Sequence, residues 1–253
     1  MVRKQLIIAL TGLLCLAFSQ VKAQRDTLNV LFLGNSYTYF WNMPQTVEAI
    51  SAQTDGVYIK ARQSTAGGAT WKQHWEGEKG LKSREMIESS KWDVVILQNH
   101  STSTIDNPDQ FAQYGAQFVE LVRANGAQPL LYMTWARAYN PMMKDQISRG
   151  YDRLAKEQKV KAVPIGLIWQ LALQMRPGLP LYDPDGSHPS PVGAYLTAIA
   201  FYSALSGKGT EALPARIKTV DRNGETLYLS IMSKENADFM QDVVDSYLKK
   251  YGE

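Results

Sequence analysis

The segment "TLNVLFLGNSYTYFW", residues 27–41, decides the fold class of this chain. Its first half is an apolar, β-rich run that stops abruptly at Gly34, and Ser36 follows two residues later. An apolar strand of this kind is typical of a parallel sheet that is covered on both faces. Ser36 is then either a nucleophile at the end of a sheet strand or the polar start of a loop. Asn35 stands where an acidic residue would be expected.

Similar apolar runs recur along the chain and alternate with helix-like periodic segments. The predicted strands are residues 27–34, 57–62, 93–98, 129–133 and 161–166, and the predicted helices include 43–54, 107–125, 142–158 and 191–206. The alternation predicts an α/β three-layer sandwich with a central, mostly parallel five-stranded sheet. An Asn-Gly turn within 215–230 predicts a small hairpin, and Ser233 is expected to cap a closing amphipathic helix.

The first 23 residues differ in character from the rest of the 253. Arg3 and Lys4 precede an apolar run over residues 6–18, and small residues lead up to Ala23, which is the pattern of a secretory signal peptide. The apolar run is too short for a stable membrane anchor. We expect cleavage near Ala23, export to the periplasm or the extracellular space, and a single domain over residues 24–253.

Charge and cysteine content narrow the function further. Removing the three basic residues of the predicted signal peptide from a total of 27 leaves 24 against 24 acidic residues, which gives no indication of nucleic-acid binding. The only cysteine, Cys15, also lies in this segment. Leu14 precedes it where lipoprotein processing requires a small residue, so neither lipidation nor thiol chemistry is expected.

The chain contains only three histidines, His74, His100 and His188. His188 follows Asp185 by three residues in a Pro- and Gly-containing loop, which can bring the carboxylate to Nδ1 and leave Nε2 to accept a proton from a serine hydroxyl. A surface turn with a capping aspartate is the ordinary alternative. Ser36, at the end of the first strand, favours the catalytic interpretation.

Four segments, taken in chain order, resemble the SGNH/GDSL hydrolases: "FLGNSYT", "AGGAT", the turn "QNHS" and "DGSHPSPVGAYL". The chain is most similar to a secreted bacterial branch with Gly-Asn-Ser in place of Gly-Asp-Ser. The resemblance implies a flavodoxin-like sandwich without a cofactor. It also implies that Ser36 is the nucleophile, His188 the base and Asp185 the partner that orients the imidazole.

The resemblance further implies an oxyanion hole with three donors. They would be the N–H of Ser36, a glycine N–H matched by Gly68, and an asparagine side chain matched by Asn99. The family usually has Gly-x-Asn-Asp after the third strand, and this chain departs from that pattern there. The alternatives are Gly67 for the glycine, and Gln98 or His100 for the side-chain donor.

Aromatic side chains crowd the same strand ends. Tyr37, Trp71 and Trp135 are candidates to line a carbohydrate cleft, although core packing is the ordinary role of such residues. Arg137 could bind a carboxylate or phosphate, but a surface salt bridge is expected. No spacing suits a metal or a phosphate loop, so neither a metal nor another cofactor is expected.

Together these observations predict an exported serine esterase that acts on a small-molecule or glycan ester. The favoured substrates are O-acetyl groups on a carbohydrate, hydrolysed through an acyl-enzyme. One alternative is a lipid-ester hydrolase similar to a lipase or lysophospholipase. Another is a catalytically silent glycan-binding protein on the same scaffold, which Asn35 and the altered third segment favour.

Overall fold

A computed structural model describes residues 25–251, and the predicted signal peptide, with Cys15, lies outside them. The five strands of the central sheet are β1 Thr27–Gly34, β2 Tyr58–Thr65, β3 Val94–Leu97, β4 Gln128–Tyr132 and β5 Lys161–Val163. Their spatial order is β2-β1-β3-β4-β5, and all neighbouring strands are parallel. The predicted α/β sandwich around a five-stranded parallel sheet is therefore confirmed.

Helices cover both faces of this sheet. They are α1 Ser36–Tyr39, α2 Met43–Ala52, α3 Trp71–Glu76, α4 Ser83–Ser89, α5 Ser103–Asp106, α6 Pro108–Ala124, α7 Met143–Gln158, α8 Ile165–Met175, α9 Pro191–Ser206 and α10 Lys234–Tyr251. Helices α2, α8, α9 and α10 pack on one face, and α3, α4, α6 and α7 pack on the other. Within residues 25–251, no helix is both long enough and apolar enough to cross a membrane.

Strand β1 shows why its sequence is apolar from Val30 to Leu33. Val30 and Phe32 point into the core beneath α2 and α9, whereas Leu31 and Leu33 point into the opposite core. All four are fully buried. Because side chains alternate along a strand, only a strand covered on both faces requires an unbroken apolar run.

The elements differ from the sequence predictions mainly at their ends. Strand β2 continues to Thr65. It is an edge strand in which buried and exposed residues alternate, so its polar residues do not mark it as a strand in the sequence. Strand β5 stops at Val163 because Pro164 follows and α8, which the sequence analysis did not identify, begins at Ile165. The predicted hairpin consists of β6 Arg216–Val220 and β7 Thr226–Ile231, which pair antiparallel.

The strand order fixes where a ligand can bind. In the sheet, β2 lies on one side of the β1–β3 pair and β4 lies on the opposite side. The connections that leave β1 and β3 therefore run in opposite directions. A crevice forms where two such connections diverge at the carboxyl ends of neighbouring strands. Ser36 follows the end of β1, and Asn99 follows the end of β3. Both residues therefore lie at this crevice.

Candidate active site

Asn35 holds the turn that presents Ser36. It is 1% exposed, and its Oδ1 accepts the Tyr37 N–H at 3.0 Å, which caps α1. Its Nδ2 donates to the Ala69 carbonyl at 3.1 Å, and its backbone N–H donates to Gln98 Oε1 at 2.7 Å. An aspartate could accept from Tyr37 but could not donate to Ala69. The amide therefore joins the Ser36 turn to the loop that follows β2.

Gln98 is a structural residue beneath this turn. Its Oε1 accepts from Thr38 Oγ1 at 2.9 Å as well as from Asn35, and its Nε2 donates to the Asn99 carbonyl. A Cβ atom at Gly34 would lie 2.3 Å from Gln98 Oε1, so only glycine allows this approach. Gln98 is fully buried with its amide satisfied internally. These internal hydrogen bonds argue against Gln98 as a donor to an oxyanion.

Ser36, His188 and Asp185 form one hydrogen-bonded chain. His188 Nε2 lies 2.9 Å from Ser36 Oγ, and His188 Nδ1 lies 2.5 Å from Asp185 Oδ2. Because a carboxylate only accepts, Nδ1 carries the ring proton and Nε2 is left as the acceptor. In this arrangement the imidazole can take a proton from the serine hydroxyl. His100 lies outside this hydrogen-bonded chain of three residues, and its Nδ1 lies 3.2 Å from Thr102 Oγ1.

The Asp185 carboxyl keeps its charge at ordinary pH. Partial burial raises its pKa, but hydrogen bonds from the His188 ring and from two backbone N–H groups outweigh that effect and lower the pKa to about 2. The two backbone groups belong to Ser187 and His188, and both donate to Oδ1 at 2.9 Å. Oδ1 thus holds the loop, and Oδ2 orients the imidazole ring.

Buried aromatic side chains fix the loop that carries His188. Tyr37 OH lies 2.7 Å from Ser187 Oγ, and Trp135 Nε1 donates to the Ser187 carbonyl at 3.0 Å. The Tyr37 and Trp135 rings stack with centroids 4.4 Å apart. Phe40 stacks on the His188 ring itself at 4.4 Å. These contacts restrict the imidazole to the orientation that faces Ser36.

The predicted role of three aromatic residues in lining the cleft has to be corrected. Trp71 is fully buried and stacks on Phe111 in the core beneath α6, and Trp135 is 1% exposed. Neither ring can face a substrate, so the prediction is wrong for both. Tyr37 is 4% exposed and packs against the edge of the His188 ring, so it positions the loop.

The candidate oxyanion donors lie on the loops beside Ser36. Asn99 Oδ1 accepts the N–H groups of Trp71 and His100 at 2.9 and 2.8 Å, which leaves Nδ2 as its side-chain donor. Gly68 adopts φ +62°, a conformation that favours glycine. Within residues 25–251, the N–H groups of Ser36 and Gly68 have no protein acceptor. Gly67, the alternative glycine, accepts a hydrogen bond from Lys79 Nζ at its carbonyl oxygen.

His74 holds the end of β1 through a hydrogen bond to Gly34, a role that the sequence pattern did not indicate. The ring is 1% exposed, and its Nε2 lies 3.0 Å from the Gly34 carbonyl. Since a carbonyl only accepts, Nε2 carries the proton and Nδ1 accepts from Ser83 Oγ at 2.6 Å. Ser83 in turn bonds Ser64 Oγ at 2.8 Å. A lone histidine without ligand spacing gives no sequence signal for this network.

We expect His74 to make the protein sensitive to acid. Burial lowers the pKa of His74 to about 4, against 6.5 for an ordinary histidine. Between these values the unfolded chain binds a proton that the folded protein does not, so stability falls as pH falls. The loss amounts to about 3 kcal/mol between pH 6.5 and pH 4. Urea unfolding of wild type and His74→Gln across this range should show a shallower pH slope in the variant. Equal slopes would contradict the assignment.

Comparison with known proteins identifies the fold. No protein-family profile matches the sequence, and no curated protein matches it significantly. Among solved structures, a proposed SGNH hydrolase from Slackia heliotrinireducens superposes with a TM-score of 0.60 at 24% identity, covering 71% of this chain and 100% of its own. The chain has the SGNH hydrolase fold.

Two further solved structures are similar at lower identity. The lipase/acylhydrolase from Enterococcus faecalis gives a TM-score of 0.56 at 13% identity, over 71% of this chain and 96% of its own. The acetyl xylan esterase AlAXEase gives a TM-score of 0.55 at 16% identity, over 70% of this chain and 100% of its own. At these identities the likeness concerns the fold, and the chemistry of this chain rests on its own residues.

Proposed function

We propose that the protein is a carboxylic-ester hydrolase in which Ser36 is the nucleophile, His188 the general base and Asp185 the residue that orients the imidazole. The hydrogen-bonded chain at 2.9 and 2.5 Å carries this proposal. A serine hydroxyl becomes a useful nucleophile only when a base removes its proton, and this chain supplies that base. The same geometry argues against a catalytically silent glycan-binding protein.

The proposed reaction uses these groups in turn. Ser36 Oγ attacks the ester carbonyl carbon as its proton passes to His188 Nε2. The negative oxygen that forms accepts hydrogen bonds from Ser36 N–H, Gly68 N–H and Asn99 Nδ2, and each donor contributes about 2.7–4 kcal/mol to the transition state. His188 then protonates the leaving alcohol. Water, deprotonated by the same imidazole, releases the free acid and restores Ser36.

O-acetyl groups on a carbohydrate are the substrates we propose. Trp41 is 45% exposed and donates from Nε1 to the Pro189 carbonyl at 2.8 Å, next to His188. Tyr139 is 66% exposed and packs near Gly186 in the same loop. These two rings offer apolar faces to a sugar beside the site, a role that the buried aromatic residues cannot fill. Export, which we also propose, would bring the enzyme to such glycans.

A panel of acyl esters tests the reaction and the substrate together. We expect acetate release from acetylated polysaccharides, and rates on 4-nitrophenyl esters that fall from acetyl to dodecanoyl. Ser36→Ala serves as the inactive control. Rates that rise with chain length would support a lipid-ester hydrolase instead. Saturable glycan binding with no turnover of any ester would support the silent binding protein.

A further inference from the structure

Arg137 lies at the rim of the candidate active site, on the loop after β4. Its Nη1 donates to Tyr139 OH at 2.7 Å, and its guanidinium carbon lies 5.9 Å from the centre of the Tyr139 ring. That ring approaches Gly186 so closely that an added Cβ would lie 3.3 Å from it. Since Gly186 adjoins Asp185, the guanidinium lies beside the loop that carries the orienting carboxylate.

Within residues 25–251, Arg137 does not form the surface salt bridge expected for it. Ion pairs in the described part of the chain join other residues, and none includes Arg137. Its Nε is buried and has no hydrogen-bond acceptor among residues 25–251. A guanidinium presents five donors in a planar fork, and a carboxylate is the group that fits that fork best. Arg137 therefore has unused capacity for an anion.

Lys79 brings a second cation to the other side of the site. Its Nζ donates to the Gly67 carbonyl at 2.6 Å, and a Cβ atom at Gly68 would lie 3.9 Å from the same nitrogen. The ammonium group is therefore next to the glycine turn that supplies the proposed oxyanion donor. Within residues 25–251, no acidic side chain forms an ion pair with Lys79.

His100 lies near enough to both cations for their charges to affect its pKa. Burial lowers the pKa of His100, and the positive charges of Arg137 and Lys79 lower it further, against the opposing charge of Asp106. Asp106 itself accepts a hydrogen bond from Thr102. Within residues 25–251, two cations that form no ion pair thus place positive charge near the imidazole of His100, at the crevice that contains Ser36.

We propose that Arg137 binds a carboxylate carried by the ester substrate, with Lys79 as a second positive charge on the other side of the site. The inference rests on the proposed esterase function and specifies its substrate class. The carboxylate can belong to the acyl part, as in a half-ester of a dicarboxylic acid, or to the alcohol part, as in an acetylated uronic acid. In both cases it pairs with the Arg137 guanidinium and fixes the ester carbonyl against Ser36.

Two matched pairs of esters distinguish these sources. The acyl pair is mono-4-nitrophenyl adipate and neutral 4-nitrophenyl hexanoate. The alcohol pair is O-acetylated methyl glucuronoside and O-acetylated methyl glucoside, assayed by acetate release. We expect kcat/KM to favour the carboxylate by about tenfold in one pair, with a preference that shrinks as salt is added. No preference in either pair would overturn the inference.

Arg137→Gln should reduce this preference to about one, because the amide is polar but lacks the positive charge and the guanidinium fork. Arg149→Gln, which removes an exposed arginine from α7, is the matched control and should keep the preference. Retention of the full preference in Arg137→Gln would contradict the inference.

Binding to Ser36→Ala separates this inference from the proposed reaction. Titration calorimetry with methyl glucuronoside, methyl glucoside and adipate requires no turnover. Tighter binding of a carboxylate than of methyl glucoside, lost in the Ser36→Ala/Arg137→Gln double variant, would support the anion site even if wild type hydrolysed no ester. Equal or absent binding of all three ligands would overturn the anion site while leaving hydrolysis of 4-nitrophenyl acetate unaffected.

Discussion

Ser36→Ala is expected to lower kcat for 4-nitrophenyl acetate by about 10⁴-fold or more, because no other hydroxyl is hydrogen-bonded to His188 Nε2 in the described structure. The oxyanion donors remain in the variant, so some hydrolysis by positioned water should persist above the uncatalysed rate. The serine side chain is small and forms one hydrogen bond to the imidazole. The free energy of unfolding should therefore change by only about 1 kcal/mol.

Ser148→Ala is the matched control for this prediction. Ser148 lies on α7, is half-buried, and its Oγ donates to a local carbonyl at 3.4 Å. We expect wild-type turnover from this variant. Equal rates for Ser36→Ala and wild type would refute the assignment of the nucleophile. A large loss in both variants would indicate damage to the fold, which the unfolding measurement would detect.

The fold was predictable because its signals are local. An unbroken apolar run identifies a strand that is covered on both faces, and the β1 bounds coincide with the predicted 27–34. Helix α9 begins at Pro191, which follows the capping Ser190. Helix α8 was missed because its apolar sequence directly follows a three-residue strand, and periodicity does not separate a buried helix from a strand.

The internal contacts of the site could not be predicted to the same depth. Asn35 donates to Ala69 and Gln98 accepts from Asn35, and these partners are 34 and 63 residues apart in the chain. Sequence spacing gives no information about such pairs, so the family pattern favours Asn99 as the side-chain donor while Gln98 and His100 stay open as alternatives. The burial of Trp71 and Trp135 could not be predicted either, because the identity of a residue does not distinguish a packed aromatic ring from an exposed one.

Asp185→Asn tests how the loop before α9 controls the imidazole. Asp185 Oδ1 accepts two backbone N–H groups, and an asparagine that keeps those bonds turns its Nδ2 toward His188 Nδ1. Nδ1 must then act as acceptor, so the ring proton moves to Nε2 and faces Ser36. We expect kcat to fall by about 10³- to 10⁴-fold at neutral pH while the loop stays folded.

Asp183→Asn provides the matched control, since it removes a carboxylate from the same loop. The backbone N–H of Asp183 donates to the His188 carbonyl at 2.9 Å, a contact that the substitution preserves. If Asp185 acts by orienting the ring, Asp183→Asn should keep kcat within about threefold, because a half-exposed charge two residues away adds little through solvent. An equal loss in both variants would mean that the negative charge of the loop, rather than the contact with Nδ1, supports the reaction.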